Sequence, residues 1–416
     1  MMGIREQYQR FHNVRNLMSL VDEDYLSVAH QLQEPHKATG VDRIDKETYD
    51  QDLDENLSDL IDRMINFEYY PQPVRRAYIP KADGKMRPLG IPSYEDRLVQ
   101  WVFSKILNEV YEPIFLDCSY GFRPQRSCHD AIRVIDQCVM KREVNWILEA
   151  DIRGFFDNMD HKWMMKFLGH VIQDVRFLRY IRRFLEAGVM ESGKYYDSTL
   201  GTPQGGIISP ILANVYLHYV LDVWFTYKVK DELRGEAYYV RYADDFVILF
   251  QYEEDAKYVM ELLKSRLAKF SLEVAEEKTR ILPFGPRTGT EESFDFLGFT
   301  IFNAKTRQGG YRIGVRTCIK KLRVKMQNAK QWIRTKMHEK IDALLKALNI
   351  KYKGHCQYYG VNGNFDMLAK FKTYLMYITF KTLRRRTQTH KISWDKFLLA
   401  WNKFIMKPKI MVNIWY

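Results

Sequence analysis
The chain has 416 residues, a net charge of +12, 46% hydrophobic and 14% aromatic residues. That length is too great for one ordinary core, so two or three domains are expected, and the apolar content excludes a disordered chain. Five cysteines (Cys118, Cys128, Cys138, Cys318 and Cys356) form no CxxC and no Cys/His pair at zinc spacing, and their odd number points to reduced thiols in a cytoplasmic protein.

The N-terminus, "MMGIREQYQRF", has no apolar core for a signal peptide. Residues 1–70 read as helices with acidic faces; "DQDLDENLSDLIDRMI" sets Leu53, Leu57, Leu60, Ile61 and Met64 at helical spacing. "VRRAYIPKADGKMRPLGIP" reads as a strand, an Ala-Asp-Gly turn and a second strand, and Arg97 to Val110 as a helix. "NWILEADIRGFF" is a β-run ending in a turn, and Asp174 to Ala187 is an Arg-rich helix. Ser198 to Leu221 carries no charge, but its Gly, Pro, Gln and Asn make it a loop feeding a buried helix rather than a membrane span. "VRYADDFVILF" then reads as a hairpin, Glu254 to Phe270 as an amphipathic helix, and "SFDFLGFTIF" as a strand pair. From Thr317 on, basic helices are expected, interrupted near "GHCQYYGVNGN". No internal repeat or low-complexity tract is seen.

The charge is unevenly placed. Residues 301–416 hold 26 Lys and Arg against four acids (Glu339, Asp342, Asp366 and Asp395), whereas residues 1–300 hold 38 basic and 48 acidic residues. A polyanion partner for the C-terminal part follows from this asymmetry.

Asp244 and Asp245 sit side by side at the tip of the hairpin. Adjacent carboxylates there repel unless a salt bridge or a divalent cation neutralises them. "ILEADIRGFFDNMDH" repeats the arrangement, with Asp151 at the end of an apolar strand. Three such carboxylates make a two-metal site for in-line phosphoryl transfer. Asp157 and Asp160 read as turn or capping residues.

With "YADD" in a hairpin, "DIRGFFDNMDH" upstream and "GTPQGGIISPILANVYL" between them, the chain resembles the group II intron-encoded, maturase-type reverse transcriptases. "IPKADGKMRPLGIP", "YGFRPQRSCHDAI", "EEKT" and "FDFLGF" stand in that family's order, over roughly residues 35–300. The resemblance implies an α+β right-hand polymerase: an N-terminal extension and the start of fingers over 1–70, fingers over 71–145, a palm with an antiparallel sheet over 146–300 (with fingers-side helices near 162–196), and a basic helical thumb, or maturase X-like region, over 301–416. Val240, Tyr242, Ile248 and Phe250 then pack the palm sheet on palm helices. Nothing resembles an HNH endonuclease, so an endonuclease-less group or a host-domesticated copy is implied.

The same resemblance assigns roles. Asp151, Asp244 and Asp245 become the metal triad for two Mg²⁺, with Mn²⁺ as a substitute. Phe156 becomes the steric gate under the sugar, and Gln204 the contact to the incoming nucleotide, with Gly205 and Gly206 letting backbone approach it. Lys81 and Arg87 meet the triphosphate, and Lys278 is the general acid for pyrophosphate. Phe296, Leu297 and Gly298 grip the primer 3′ end. Arg123 touches template or phosphates, or else is a buried structural arginine, and Lys320, Lys321, Arg323, Lys325, Arg384, Arg385 and Arg386 face nucleic acid. The implied activity is RNA-directed DNA synthesis on an RNA template, with a DNA or RNA primer and dNTPs. It would be cytoplasmic in a bacterium, near the nucleoid, with no membrane. Two other readings stay open: a splicing maturase with secondary polymerase activity, clasping a parent intron RNA, and a host-defence enzyme copying a non-coding RNA.

Overall fold
The protein was analysed as a computed structural model, which describes residues 3–80, 86–202, 205–386 and 391–415. Its strands are β1 (Val74–Pro80), β2 (Met86–Ile91), β3 (Trp146–Ala150), β4 (Val189–Glu191), β5 (Lys194–Tyr196), β6 (Ala237–Tyr242), β7 (Asp245–Phe250), β8 (Arg280–Pro283), β9 (Ser293–Phe296), β10 (Phe299–Lys305) and β11 (Tyr311–Thr317).

The central sheet is antiparallel, in the order β6-β7-β3-β8. One face carries Leu148, Ala150, Phe246, Ile248 and Phe250 into a large core shared with the N-terminal helices and with helices Tyr94–Tyr111 and Ser209–Leu217. The other face carries Ile147, Val240, Val247, Leu249 and Leu282 against helix Cys128–Lys141 and the β9–β11 sheet. Cover on both faces explains why "DFVILF" is an apolar run rather than an alternation. It also corrects one expectation: Val240 and Tyr242 pack on one side of the sheet, and Ile248 and Phe250 on the other. Helix Cys128–Lys141 starts cleanly because Ser127 and Asp130 form a reciprocal capping box.

A second sheet has the order β2-β1-β4-β5. β1 and β2 pair antiparallel, and β1 meets β4 in parallel at Val74 and Arg75. The stretch expected as helices up to residue 196 thus ends in a β-hairpin, Val189–Tyr196. The expected boundary at 300 falls inside β10, because β9, β10 and β11 form one sheet.

Beyond β11, helices Ile319–Thr335, Ile341–Tyr359, Phe365–Leu383 and Trp394–Phe404 close on their own core. Leu345, Tyr352, Phe371, Phe397 and Trp401 are buried there, each apolar side chain stabilising it by about 1.5–3 kcal/mol. The tail returns to the sheets: Val412 bridges Val361, Ile414 enters the core between the central and β9–β11 sheets, and Arg133 Nη2 donates to the Asn413 carbonyl at 3.0 Å. All five cysteines are free. Among the described residues no helix is long and apolar enough to cross a membrane.

Candidate active site
The register of the central sheet places the carboxylates. Ala150 pairs with Phe246 as the last β3–β7 rung, so Asp151 and Asp245 stand one step beyond it on neighbouring strands. Ala150 and Phe246 point into the core, and the alternation of a strand sends Asp151 and Asp245 to the opposite face. Tyr242 pairs with Asp245, so Ala243 and Asp244 form a two-residue hairpin tip. Ala243 is buried and has φ 56°, a left-handed conformation that a residue with a Cβ adopts at a cost.

The three carboxylates crowd one another. The Asp245 carboxyl is pushed up to about 6, first by loss of hydration around it and then by the charges of Asp244 and Asp151. Much of the residue is nonetheless exposed, so this loss acts at the carboxylate. Asp244 is raised too, by burial first and then by Asp151, with Arg87 and Lys278 opposing. The Lys278 ammonium donates to the Asp151 carboxylate, and this bond holds the lysine above its ordinary range.

Repelling carboxylates with hard oxygen donors suit a divalent cation. No three His, Cys, Asp or Glu side chains among the described residues close into a ready metal cage, and the Lys278 charge partly neutralises Asp151. The donor chemistry therefore fits a divalent cation, while the positions are those of a site with an internal ammonium on one ligand.

A cleft of about 520 Å³ opens over Asp151, Asp245 and Lys278, with Asp244 outside its lining, and gathers residues that the sequence scatters. Asp151, Asp245, Lys278, Phe296, Leu297, Gly298, Lys320 and Lys321 all line it. Leu297 (φ 51°) and Gly298 (φ 79°) make the β9–β10 turn. This turn is held from the thumb side, where Tyr358 Oη donates to the Leu297 carbonyl at 2.9 Å and Cys318 N to the Gly298 carbonyl at 3.0 Å.

Phe156 lines a neighbouring cavity with Arg76, Pro88, Gly201 and Thr202, not the carboxylate cleft. It is half-buried, whereas Phe155 beside it is buried in the core. Arg87 is exposed on β2, close enough for Asp244 to sense its charge. Lys81 and Gln204 lie outside the described residues. Gly205 (φ 114°) presses on the fingers strand, where a Cβ would stand 2.7 Å from the Gly90 carbonyl oxygen. Asp160 caps its helix by accepting from Trp163 N at 3.0 Å.

The basic residues expected to meet nucleic acid differ in how accessible they are. Arg123 is buried: its guanidinium pairs with Glu112 at 2.8 Å and donates to the Leu116 and Ser119 carbonyls at 2.7 and 2.9 Å. It braces its own loop and faces no solvent that a template could occupy. Lys325 is half-buried over the Tyr359 ring, and burial lowers its pKa. Arg386 is tied to the Glu339 carbonyl at 2.5 Å. Lys320, Lys321, Arg323, Arg384 and Arg385 are exposed. Arg241, just before the hairpin, went unassigned from sequence, although an arginine inside an otherwise buried strand was a signal.

Comparison with known proteins adds an independent line. A sequence family described as reverse transcriptase (RNA-dependent DNA polymerase) matches residues 79–301. The group II intron-encoded protein LtrA of Lactococcus lactis subsp. cremoris is 32% identical, over 88% of this chain and 73% of that protein. Protein YkfC of Escherichia coli strain K12 is 31% identical, over 72% of this chain and 86% of that protein. A solved telomerase from Candida albicans, in complex with a fragment of telomeric RNA, aligns with a TM-score of 0.45 at 13% identity, over 86% of this chain and 66% of that one.

Proposed function
We propose that this chain, which belongs to the group II intron-encoded reverse transcriptases and is an RNA-directed DNA polymerase, performs its chemistry in the cleft between the β3–β7 carboxylates and the β9–β10 turn. The family works with divalent metal ions; here Asp151, Asp244 and Asp245 would hold two Mg²⁺. When bound, the ions would lower the pKa of the primer 3′-hydroxyl and hold the triphosphate.

The chain's own groups do the rest. Lys278, protonated through its bond to Asp151, supplies the proton to departing pyrophosphate. Arg87 and Lys81 offset the charge of the triphosphate, the arginine through a bidentate fork. Phe156 lies under the sugar C2′ and excludes a 2′-hydroxyl, and Gln204 orients the nucleotide beside Gly205. Phe296, Leu297 and Gly298 support the primer end. Lys320, Lys321 and Arg323 meet duplex phosphates near the cleft. Fingers, palm and thumb correspond broadly to the β1–β2 sheet, the central sheet and the helices after Cys318.

The convergence of Asp151, Asp245, Lys278, the β9–β10 turn and Lys320–Lys321 on one cleft carries this reading. The basic excess of residues 301–416 supports a second RNA partner of the maturase kind, such as a parent intron. Asp244→Asn tests the site. Primer extension on an RNA template should be abolished while RNA affinity stays near wild type, because the phosphate contacts lie elsewhere. Extension within about tenfold of wild type would remove Asp244 from the metal set.

A further inference from the structure
Behind the carboxylate hairpin lies a polar network with no access to solvent. The Arg241 guanidinium is fully buried on β6. Its Nε and Nη2 pair with the two Asp222 oxygens at 2.7 and 2.5 Å. Nη2 also donates to Ser119 Oγ at 2.8 Å, and Nη1 to Asn214 Oδ1 at 3.0 Å. The remaining bond runs forward into the site: Nη1 donates to the carbonyl of Ala243 at 3.1 Å.

The network is built from distant segments. Asp222 is itself fully buried and ends a π-helical stretch, His218–Asp222, a register change of the kind that re-aims side chains at functional sites. Asn214 Nδ2 donates to the Gly121 carbonyl at 2.7 Å. Gly121 in turn presses on the hairpin, where a Cβ would stand 2.4 Å from Ala243 N. The loop at 118–121 also runs beside β6: Arg241 N donates to the Cys118 carbonyl, and Tyr120 N to that of Arg241, each at 2.8 Å.

Stability alone explains this arrangement poorly. A buried ion pair loses in desolvation much of what it gains in attraction, and apolar residues of similar size often replace one without harm. Val240 and Tyr239 beside Arg241 are buried as well, so an apolar residue would suit the strand. A planar guanidinium does what no apolar residue can. It fixes three segments at once and still donates to the carbonyl of the one hairpin residue held at positive φ.

We propose that Arg241 is a positioning residue for the metal-binding hairpin. Clamping the Ala243 carbonyl to Asp222, Asn214 and Ser119 holds Ala243 left-handed, which fixes Asp244 and Asp245 relative to Asp151. The proposal rests on the assignment of those aspartates as metal carboxylates.

The test uses the full chain in primer extension on an RNA template, titrated with Mg²⁺. Arg241→Lys keeps the charge opposite Asp222 but cannot reach all four partners. It should fold, lose at least about tenfold in kcat and need several-fold more Mg²⁺, with the KM for dNTP little changed, since small misplacements of reacting groups are costly. Adding Ala243→Gly to this variant should recover about threefold or more, because glycine takes the positive φ without strain and needs no clamp. A merely structural Arg241 gives no such rescue. The proposal is overturned if Arg241→Lys stays within about twofold of wild type at every Mg²⁺ concentration, or if the double variant is no more active than the single one. Should Arg241→Lys not fold, Ser119→Ala decides. It removes one bond orienting the guanidinium and should raise the Mg²⁺ midpoint, and an unchanged midpoint overturns the proposal. Asp244→Asn in parallel separates the two ideas: if it remains active, the carboxylate assignment itself fails.

Discussion
The Lys278 ammonium and the Asp151 carboxylate, 127 residues apart in sequence, are hydrogen-bonded partners in the cleft. The side chain proposed to give up a proton therefore sits on one proposed to bind a cation. Lys278→Met should separate the two roles. The loss of a proton donor should lower kcat by about a hundredfold or more. The loss of a competing cation should at the same time lower the Mg²⁺ concentration needed for half-maximal rate. Mg²⁺ titrations at saturating dNTP read both quantities, and no movement in either would make Lys278 an ordinary surface lysine.

Phe156→Val should relax sugar selection. The ring is half-buried at the edge of its own cavity, so shortening it opens room without hollowing the core. One lost steric clash is worth about 1–3 kcal/mol of discrimination. The ratio of dNTP to rNTP incorporation should fall accordingly. A constant ratio with a collapsed rate would mean that the ring supports the fold instead.

Lys320 and Arg323 are exposed at the start of the first thumb helix, beside the cleft. Replacing both with Gln should weaken primer–template binding and flatten its salt dependence by roughly one to two units, at about 0.9 per phosphate contact for duplex DNA. Products should shorten through early dissociation. Lys325 is best left in place, because its ammonium stands over the Tyr359 ring, 5.3 Å from the centroid. A salt slope equal to wild type would identify this surface as merely solvated.

His355 makes thumb stability sensitive to acid. It is fully buried between Phe371 and Tyr359, and neither ring nitrogen has a hydrogen-bond partner among the described residues. Burial, and then the nearby Lys325 charge, lower its pKa from 6.5 to about 3. The unfolded chain thus binds a proton that the folded one refuses. Stability is full above pH 6.5 and is lost as pH falls through the window below it, by about 2 kcal/mol at pH 5. His218, lowered to about 4 by its own burial, acts in the same direction. His355→Phe should shrink the fall in melting temperature between pH 7.5 and pH 5 by several degrees. An unaltered pH dependence would show that the ring is not the group that titrates.

The strand end and hairpin that carry Asp151, Asp244 and Asp245 were legible in the sequence because their signal is local. An aspartate at the end of an apolar strand has few uses, and two adjacent ones fewer. The β9–β10 turn was legible for the same reason, through Gly298, whereas the expected Ala-Asp-Gly turn between β1 and β2 lies outside the described residues. The Val189–Tyr196 hairpin was not, because its strands are three residues long and depend on β1, more than a hundred residues earlier. Arg123 carried no local sign of burial, since Glu112 reaches it only through a folded loop. Arg241 was hidden differently: its partner Asp222 is aimed at it by a π-helical turn that simple helical periodicity does not reveal.

The C-terminal helical segment leaves the β9–β11 sheet after Thr317 and comes back to it at Val412, where the returning chain bridges Val361 and the Ile414 side chain sinks into the core beneath that sheet. The 361–364 loop ties the two ends together: Asn364 accepts from Thr317 N at 2.8 Å, and Asn362 accepts from Ile414 N at 3.3 Å. A segment fastened at neighbouring points is topologically a cassette. It can be lifted out and exchanged for the corresponding segment of a relative without rethreading the rest of the chain. Chimaeras cut at these two seams, with Ile414 retained, offer a way to transfer RNA preference from one polymerase to another while the catalytic sheet stays untouched.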